Sequence, residues 1–596
     1  MDFANLLHDK LRLGKYTEAI TLLQNEKFET QLNENCMDIV STLVANLNGE
    51  TFQNNNKLFT LSENLLKFVA NKCNPQEVLL VILEQMELNK NDEVFTSLLK
   101  VLQVILMRLK ESKVKSLEWS LDTLLLYINN IELPSFMSSI EETEEKLIES
   151  DETVQRILQL YMTISLFLDP IVKELGAIPR NIFHNTEITK HNVIICFILQ
   201  LMGKPLIFLN SQQADTADIE NSGRVKTYTR QVVEDLVSLL SKILGDSFFL
   251  LRYGEQRIRW PKKNTSNMNN VFEETSLDIF MNEKKCPLLS LAMLCYLVIG
   301  EKCPPEIPKV YSPNYVFEVC LYFCTQFLKH EKPVVHYKGI IIVKKLLGTV
   351  LLTADDLDLK VHQNFCTDLA QLIVYSDIER NRKHGVFLLR DYIHRFDNKG
   401  RYMLIANLLK TIKHDGLHSF VSTIYKDLMH QELMSDATPS CWYTGKLLKR
   451  LIMKEICLLK NGVETDLMEN SDNITTGLNI LRYLLIMDKL NRTSIWTYVA
   501  EIETEFLEPL RKAIDISRAH FKQELLAVAH NDEPKNNYGI VTIRNINGDK
   551  LPELKRHKKQ EILTKAMNIF DLMDSLLARV LECMGVTQTT HSLKSI

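Results

Sequence analysis

Residues 58–128 read LFTLSENLLKFVANKCNPQEVLLVILEQMELNKNDEVFTSLLKVLQVILMRLKESKVKSLEWSLDTLLLYI. Leu58, Leu61, Leu65, Leu66 and Val69 recur at helical spacing, so they line one face of a helix that stops at Asn71-Lys72-Cys73. Asn74 is placed to cap the next helix, with Pro75 in its first turn and Glu77 three residues after the cap. Val78, Leu79, Ile82, Leu83 and Met86 form that helix's apolar face. After the polar break at Asn89–Asp92 comes a third face, from Phe95 and Leu98 to Ile105 and Leu109. A fourth runs from Leu117 through Leu121, Leu124 and Leu125 to Ile128, and Pro134 ends its helix. One helix opens near Asn74 and another near Ser112, a spacing close to the roughly 40–47 residues of HEAT and armadillo repeats. A helix pair of this kind cannot bury its apolar face alone, so neighbouring pairs must stack.

Composition supports the same class. The 596 residues contain only 19 Gly and 16 Pro, and average usage would give roughly twice as many. Few breakers mean few turns, which disfavours hairpin-rich sandwiches and barrels. The expected fold is all-α, a HEAT/armadillo-like solenoid in two parts. One short β-hairpin is expected near 538–550, where YGIVTIRNI alternates before Asn547-Gly548. The polar, Pro-containing run 257–274 suggests a boundary, giving an N-terminal helical domain over 1–275 and a C-terminal one over 276–596 that carries the partner-binding surface.

Several functions are disfavoured. Lys and Arg number 70 and Asp and Glu 75, a net charge of -5, whereas nucleic-acid binding usually needs a basic excess. The longest apolar run, LLSLAMLCYLVI at 288–299, is shorter than the ~18–20 residues of a membrane span and reads as a buried helix. The N-terminus lacks the apolar core of a signal peptide, and the 12 cysteines form no Cys-x-x-Cys pair. They read as small buried hydrophobes in a reducing, cytoplasmic setting.

Catalytic motifs for nucleotide binding, serine hydrolases and zinc peptidases do not occur. His414 and His418 have metal-ligand spacing, but Asp415-Gly416 between them favours a turn or helix start. TADDLD at 353–358 reads as a capping box of Thr353 and Asp356 rather than a magnesium site. KRHKK at 555–559 reads as a solvated helix face. No enzyme, cofactor or metal is expected. Trp442 and Tyr443 precede an apolar-periodic run bearing Lys446, Lys449 and Arg450, the mixture typical of interface hot spots.

Between Asn381 and Leu525 stand LLRDYIHRFDNKGRYMLIANLLK, GLHSF, WYTG, GVETDLMENSDNITTGLNILRYLLIMD and WTYVAEIETEFLEPLRKAIDISRAHF. These runs resemble the glomulin and aberrant-root-formation protein family, most specifically over Glu464–Leu484. The order of weaker matches, CNPQE at 73–77 and Pro308–Tyr315, extends the resemblance over the whole chain. The resemblance implies a non-catalytic inhibitor of cullin-RING ubiquitin ligases. Such a protein covers the RING domain of the RING-box subunit in SCF-type complexes and blocks docking of the ubiquitin-conjugating enzyme. It also implies an FK506-binding immunophilin as a second partner. Carried to this sequence, the protein-binding positions are Lys426, Trp442, Tyr443, Asn479 and Arg482. Arg482 lies in the apolar run LNILRYLLIM, where a guanidinium must snorkel or find a partner. The run KLLKRLIMKE after the Trp-Tyr pair is more basic than the family pattern. The runner-up reading is a HEAT-type scaffold or transport adaptor unconnected with ubiquitin transfer.

Overall fold

The computed structural model describes residues 3–25, 29–109, 114–134, 145–176, 188–212, 227–260, 278–304, 307–435, 438–530 and 556–594. The described residues are all-α, with no strand and one isolated bridge between Leu352 and Phe396. The hairpin expected near 538–550 lies outside the described residues, so its expectation gains no support here.

Helix boundaries follow the sequence signals. One helix spans Asn56–Lys72 and the next Pro75–Leu88. The Asn74 side chain accepts the Gln76 N–H at 3.1 Å and donates to Glu77 at 3.1 Å, satisfying a donor that the first turn leaves without an intrahelical partner. Asp92–Arg108 is capped in the same way by Asn91, and Val114–Asn129 follows.

By packing, the chain forms two compact units, Met1–Val350 with Ser376–His384, and Leu351–Tyr375 with Gly385–Ile596. The expected boundary at 275/276 falls within residues 261–277, which are not described. Helices on either side of it, Phe248–Arg259, Leu288–Cys295 and Pro313–Leu328, pack together in the first unit.

Helices of the first unit pack both on their neighbours in sequence and on helices further along. Cys36–Ala45, Pro75–Leu88, Val114–Asn129 and Lys190–Leu201 make one layer. Asn56–Lys72, Asp92–Arg108, Glu152–Leu175 and Tyr228–Leu244 make the other. This is the arrangement of stacked helical pairs, with each apolar face buried between neighbours. The run at 288–299 is buried as expected, but Leu288–Cys295 continues into a π-helical turn at Tyr296–Gly300. No described helix is long and apolar enough to cross a membrane.

In the second unit Asp415–Met434 packs against Ser471–Met487, which packs against Arg556–Lys594, and that helix packs against Glu508–His530. Thr353 and Asp356 form the expected capping box, with the Thr353 N–H donating to Asp356 Oδ2 at 2.7 Å.

Candidate protein-binding surface

The helices Asp415–Met434 and Ser471–Met487 run side by side in the same direction. Asp415 meets Asp472 and Asn473 at one end, Ser419 bonds Asn473 next, and His430 bonds Tyr483 further along. At the far end Arg492 donates to the carbonyls of Leu433 and Ser435, both at 2.9 Å. The segment between the two helices must therefore return along the unit, and it does so through Gly445–Leu451 and a π turn at Ile452–Ile456. Gly477 permits that return to pass closely, because a Cβ there would stand 3.1 Å from the Ile456 carbonyl oxygen.

This parallel pairing sets three of the five expected binding residues beside one another. Asn479, Arg482, Tyr483 and Ile486 share one face of their helix through i+3 and i+4 spacing. Asn479 is exposed, and Arg482 and Tyr483 are half-buried. From the adjoining helix the Lys426 ammonium lies 5.8 Å from the Tyr483 ring centroid, at the outer reach of a cation–π contact, and 3.0 Å from Asp427. Ile486 is 42% exposed and lends the ridge an apolar end. Arg482 Nε is buried without a hydrogen-bond partner among the described residues. A buried guanidinium N–H left without an acceptor costs free energy.

Trp442 and Tyr443 belong to a second cluster. They lie in the 3-10 turn Cys441–Tyr443, which sends successive side chains in different directions. Cys441 is exposed, Trp442 half-buried, and Tyr443 1% exposed. The Trp442 ring packs at 5.6 Å from Tyr402, and Tyr443 packs inward at 5.8 Å from Tyr425. Burial pushes the Tyr443 hydroxyl up to about 12, opposed by the nearby Arg401 guanidinium. Tyr443 thus supports the core in this structure, and Trp442 alone of the pair reaches the surface.

The sequence reading overlooked His430 and Tyr483. Both were within reach of helical spacing, since His430 is four residues from Lys426 and Tyr483 is adjacent to Arg482. Their contact required knowing which helices run together.

Other polar constellations serve the fold. His414 is the N-cap of its helix, accepting the Leu417 N–H at 3.3 Å. His418 is buried one turn on, with burial holding its imidazole below the ordinary range. No group of three or more His, Cys, Asp or Glu among the described residues is arranged to hold a metal. Ten cysteines are buried, Cys441 is exposed and Cys583 intermediate. In the first unit a groove of about 730 Å³ runs past Leu126, Tyr127 and Arg156. Of its charged lining residues Arg156 is paired, holding Asp92 at 2.6 and 2.9 Å, and Tyr127 donates to Asp92 at 2.6 Å. Lys558 is exposed, and Lys559 pairs with Glu524 at 3.1 Å, so this part of the basic run is a helix face.

Comparison with known proteins extends over nearly the whole chain. The family described as "Uncharacterised protein family, YAP/Alf4/glomulin" matches residues 20–553. Mouse glomulin (Mus musculus) is 26% identical over 599 residues, covering 98% of this chain and 93% of the relative. Human glomulin (Homo sapiens) is 27% identical over 598 residues with the same coverage.

Proposed function

Because this chain belongs to the YAP/Alf4/glomulin family, we propose that it is a non-catalytic regulator of cullin-RING ubiquitin ligases in the cytoplasm. It binds the RING domain of the RING-box subunit and excludes the ubiquitin-conjugating enzyme from that surface. The observation that carries this reading is the ridge on the two parallel helices. Lys426, Asn479, Arg482 and Tyr483 there combine cations, an amide and a phenol ring beside the apolar Ile486. Arg and aromatic residues of this kind anchor protein interfaces. The mechanism needs only occupancy. A standard interface of about 1,600 Å² covers enough of a small zinc-binding domain to deny its surface to a competitor.

Titration of the isolated RING-box subunit into the full chain, followed by calorimetry, tests the reading. Saturable one-to-one binding, weakened by Arg482→Ala, is the expected result. No heat and no complex on gel filtration would overturn it. An FK506-binding immunophilin is a second proposed partner, to be tried in the same titration.

A further inference from the structure

The short helix Gly445–Leu451 and the π turn Ile452–Ile456 bury Leu448, Leu451, Ile452, Met453 and Ile456. On their outer side Lys446, Arg450 and Lys454 recur at every fourth residue and are all exposed, so they form one stripe. Lys410, at the end of Asn398–Thr411, and Lys460 join them. Both are exposed and, with Arg450, are near enough to act on the Glu455 carboxyl electrostatically. None of these five cations forms a salt bridge among the described residues. Lys449, by contrast, turns away to pair with Glu501.

Glu455, placed among them, is half-buried, and burial raises its pKa against the pull of Lys410, Arg450 and Lys460. One carboxylate cannot offset the three cations that act on it. The chain as a whole carries a net charge of -5, so this positive field is local rather than a reflection of composition. Its edge is aromatic. Arg450 lies near the hydroxyl of Tyr402, which donates to the Leu447 carbonyl at 3.1 Å, and Tyr402 packs on half-buried Trp442.

We propose that the face formed by Lys446, Arg450, Lys454, Lys410 and Lys460, edged by Trp442, is a docking surface for an acidic polypeptide segment. Charge complementarity selects the occupant, since unpaired cations on helix surfaces gain most from carboxylates that are spaced and mobile. The aromatic edge suits a peptide better than single-stranded nucleic acid. Base stacking needs open ring faces, and here Tyr402 is buried and Trp442 packs against it. A continuous phosphate backbone would also pass over Glu455, whereas a peptide can set its carboxylates on either side.

A fluorescein-labelled oligo-glutamate peptide, titrated with the full chain and followed by anisotropy, reads this face directly and does not depend on the RING reading. The expected result is binding that weakens as salt is added and falls at least about tenfold in the double variant Arg450→Glu/Lys454→Glu. Lys344→Glu/Lys345→Glu makes the same charge change at exposed positions in the first unit and should leave binding intact. Absence of binding, equal binding by the Arg450→Glu/Lys454→Glu chain, or tighter binding of a single-stranded RNA that the same variant abolishes would each overturn the proposal. Unchanged thermal melting of the variants excludes misfolding as the cause of a loss.

Discussion

The Asp415 carboxylate accepts the backbone N–H of Asp472 at 2.7 Å and that of Asn473 at 3.2 Å. A side chain in the first turn of one helix thus caps the start of its parallel neighbour, for which Asn470 supplies no side-chain cap bond. Removing it should loosen the register that aligns Lys426 with Tyr483. Asp415→Ala is expected to lower stability by about 1–2 kcal/mol. Asp415→Asn, which keeps an acceptor oxygen, should lose less. Urea unfolding of the three chains measures the difference, and equal losses for Ala and Asn would show that the cap is not what matters there.

His362 is 2% exposed, and its Nδ1 sits 2.6 Å from the Tyr392 hydroxyl. Burial holds its pKa down to about 4, while Asp356 pulls weakly the other way. In the unfolded chain a histidine titrates near 6.5. Between those values the unfolded state binds the proton more readily, so stability is lost as pH falls from about 6.5 toward 4. At pH 5 the loss is about 2 kcal/mol. His362→Gln keeps a hydrogen-bonding group and removes the titration. Wild type should therefore lose more stability than His362→Gln between pH 7.5 and 5, as read from urea midpoints at the two pH values.

The contrast between Trp442 and Tyr443 gives a sharper test of which residues meet a partner. Tyr443→Ala empties a core position and should cost about 3–5 kcal/mol, as large aromatic truncations do. Tyr443→Phe should leave RING affinity within about twofold, since the hydroxyl is buried. Lys426→Ala and Arg482→Ala should do the reverse, weakening RING binding by about tenfold or more with little change in melting temperature. Calorimetric titration alongside thermal melts separates the two behaviours.

Much of this architecture was legible in the sequence. Asn74, Pro75 and Glu77 announced a helix start because capping is local chemistry, and Thr353 with Asp356 did the same. Spacing of apolar residues located the helices from 56 to 129 for a similar reason, as burial imposes the helical period on the chain. Long-range placement was not legible. Nothing in the order of residues states that Asp415–Met434 and Ser471–Met487 run parallel, so His430 and Tyr483 did not stand out. Trp442 and Tyr443 look alike as neighbours, yet a 3-10 turn sends one outward and the other into the core. The π turns at 296–300, 452–456 and 503–507 carry no mark that separates them from α-helix in an apolar run.

Gly477 tests how close the return segment must pass. Gly477→Val would press a branched side chain against the Ile456 carbonyl, 3.1 Å from the Cβ position, and Cys457 Sγ at 3.4 Å. Backbone cannot yield as a side-chain tip can, so a loss of about 1–3 kcal/mol is expected. RING binding should fall with it, because the same helix carries Asn479 and Arg482. Melting and binding measured on one preparation would reveal the coupling, and a stable variant with normal affinity would argue against it.

Exclusion of the conjugating enzyme without chemistry is tested most directly in ubiquitin discharge by a cullin-RING ligase as conjugating enzyme is titrated at several fixed concentrations of this chain. The apparent KM for the conjugating enzyme should rise linearly with the concentration of the chain while kcat stays constant, and Arg482→Ala should shift the effect to higher concentrations. A fall in kcat at unchanged KM, or discharge indifferent to the chain, would contradict it.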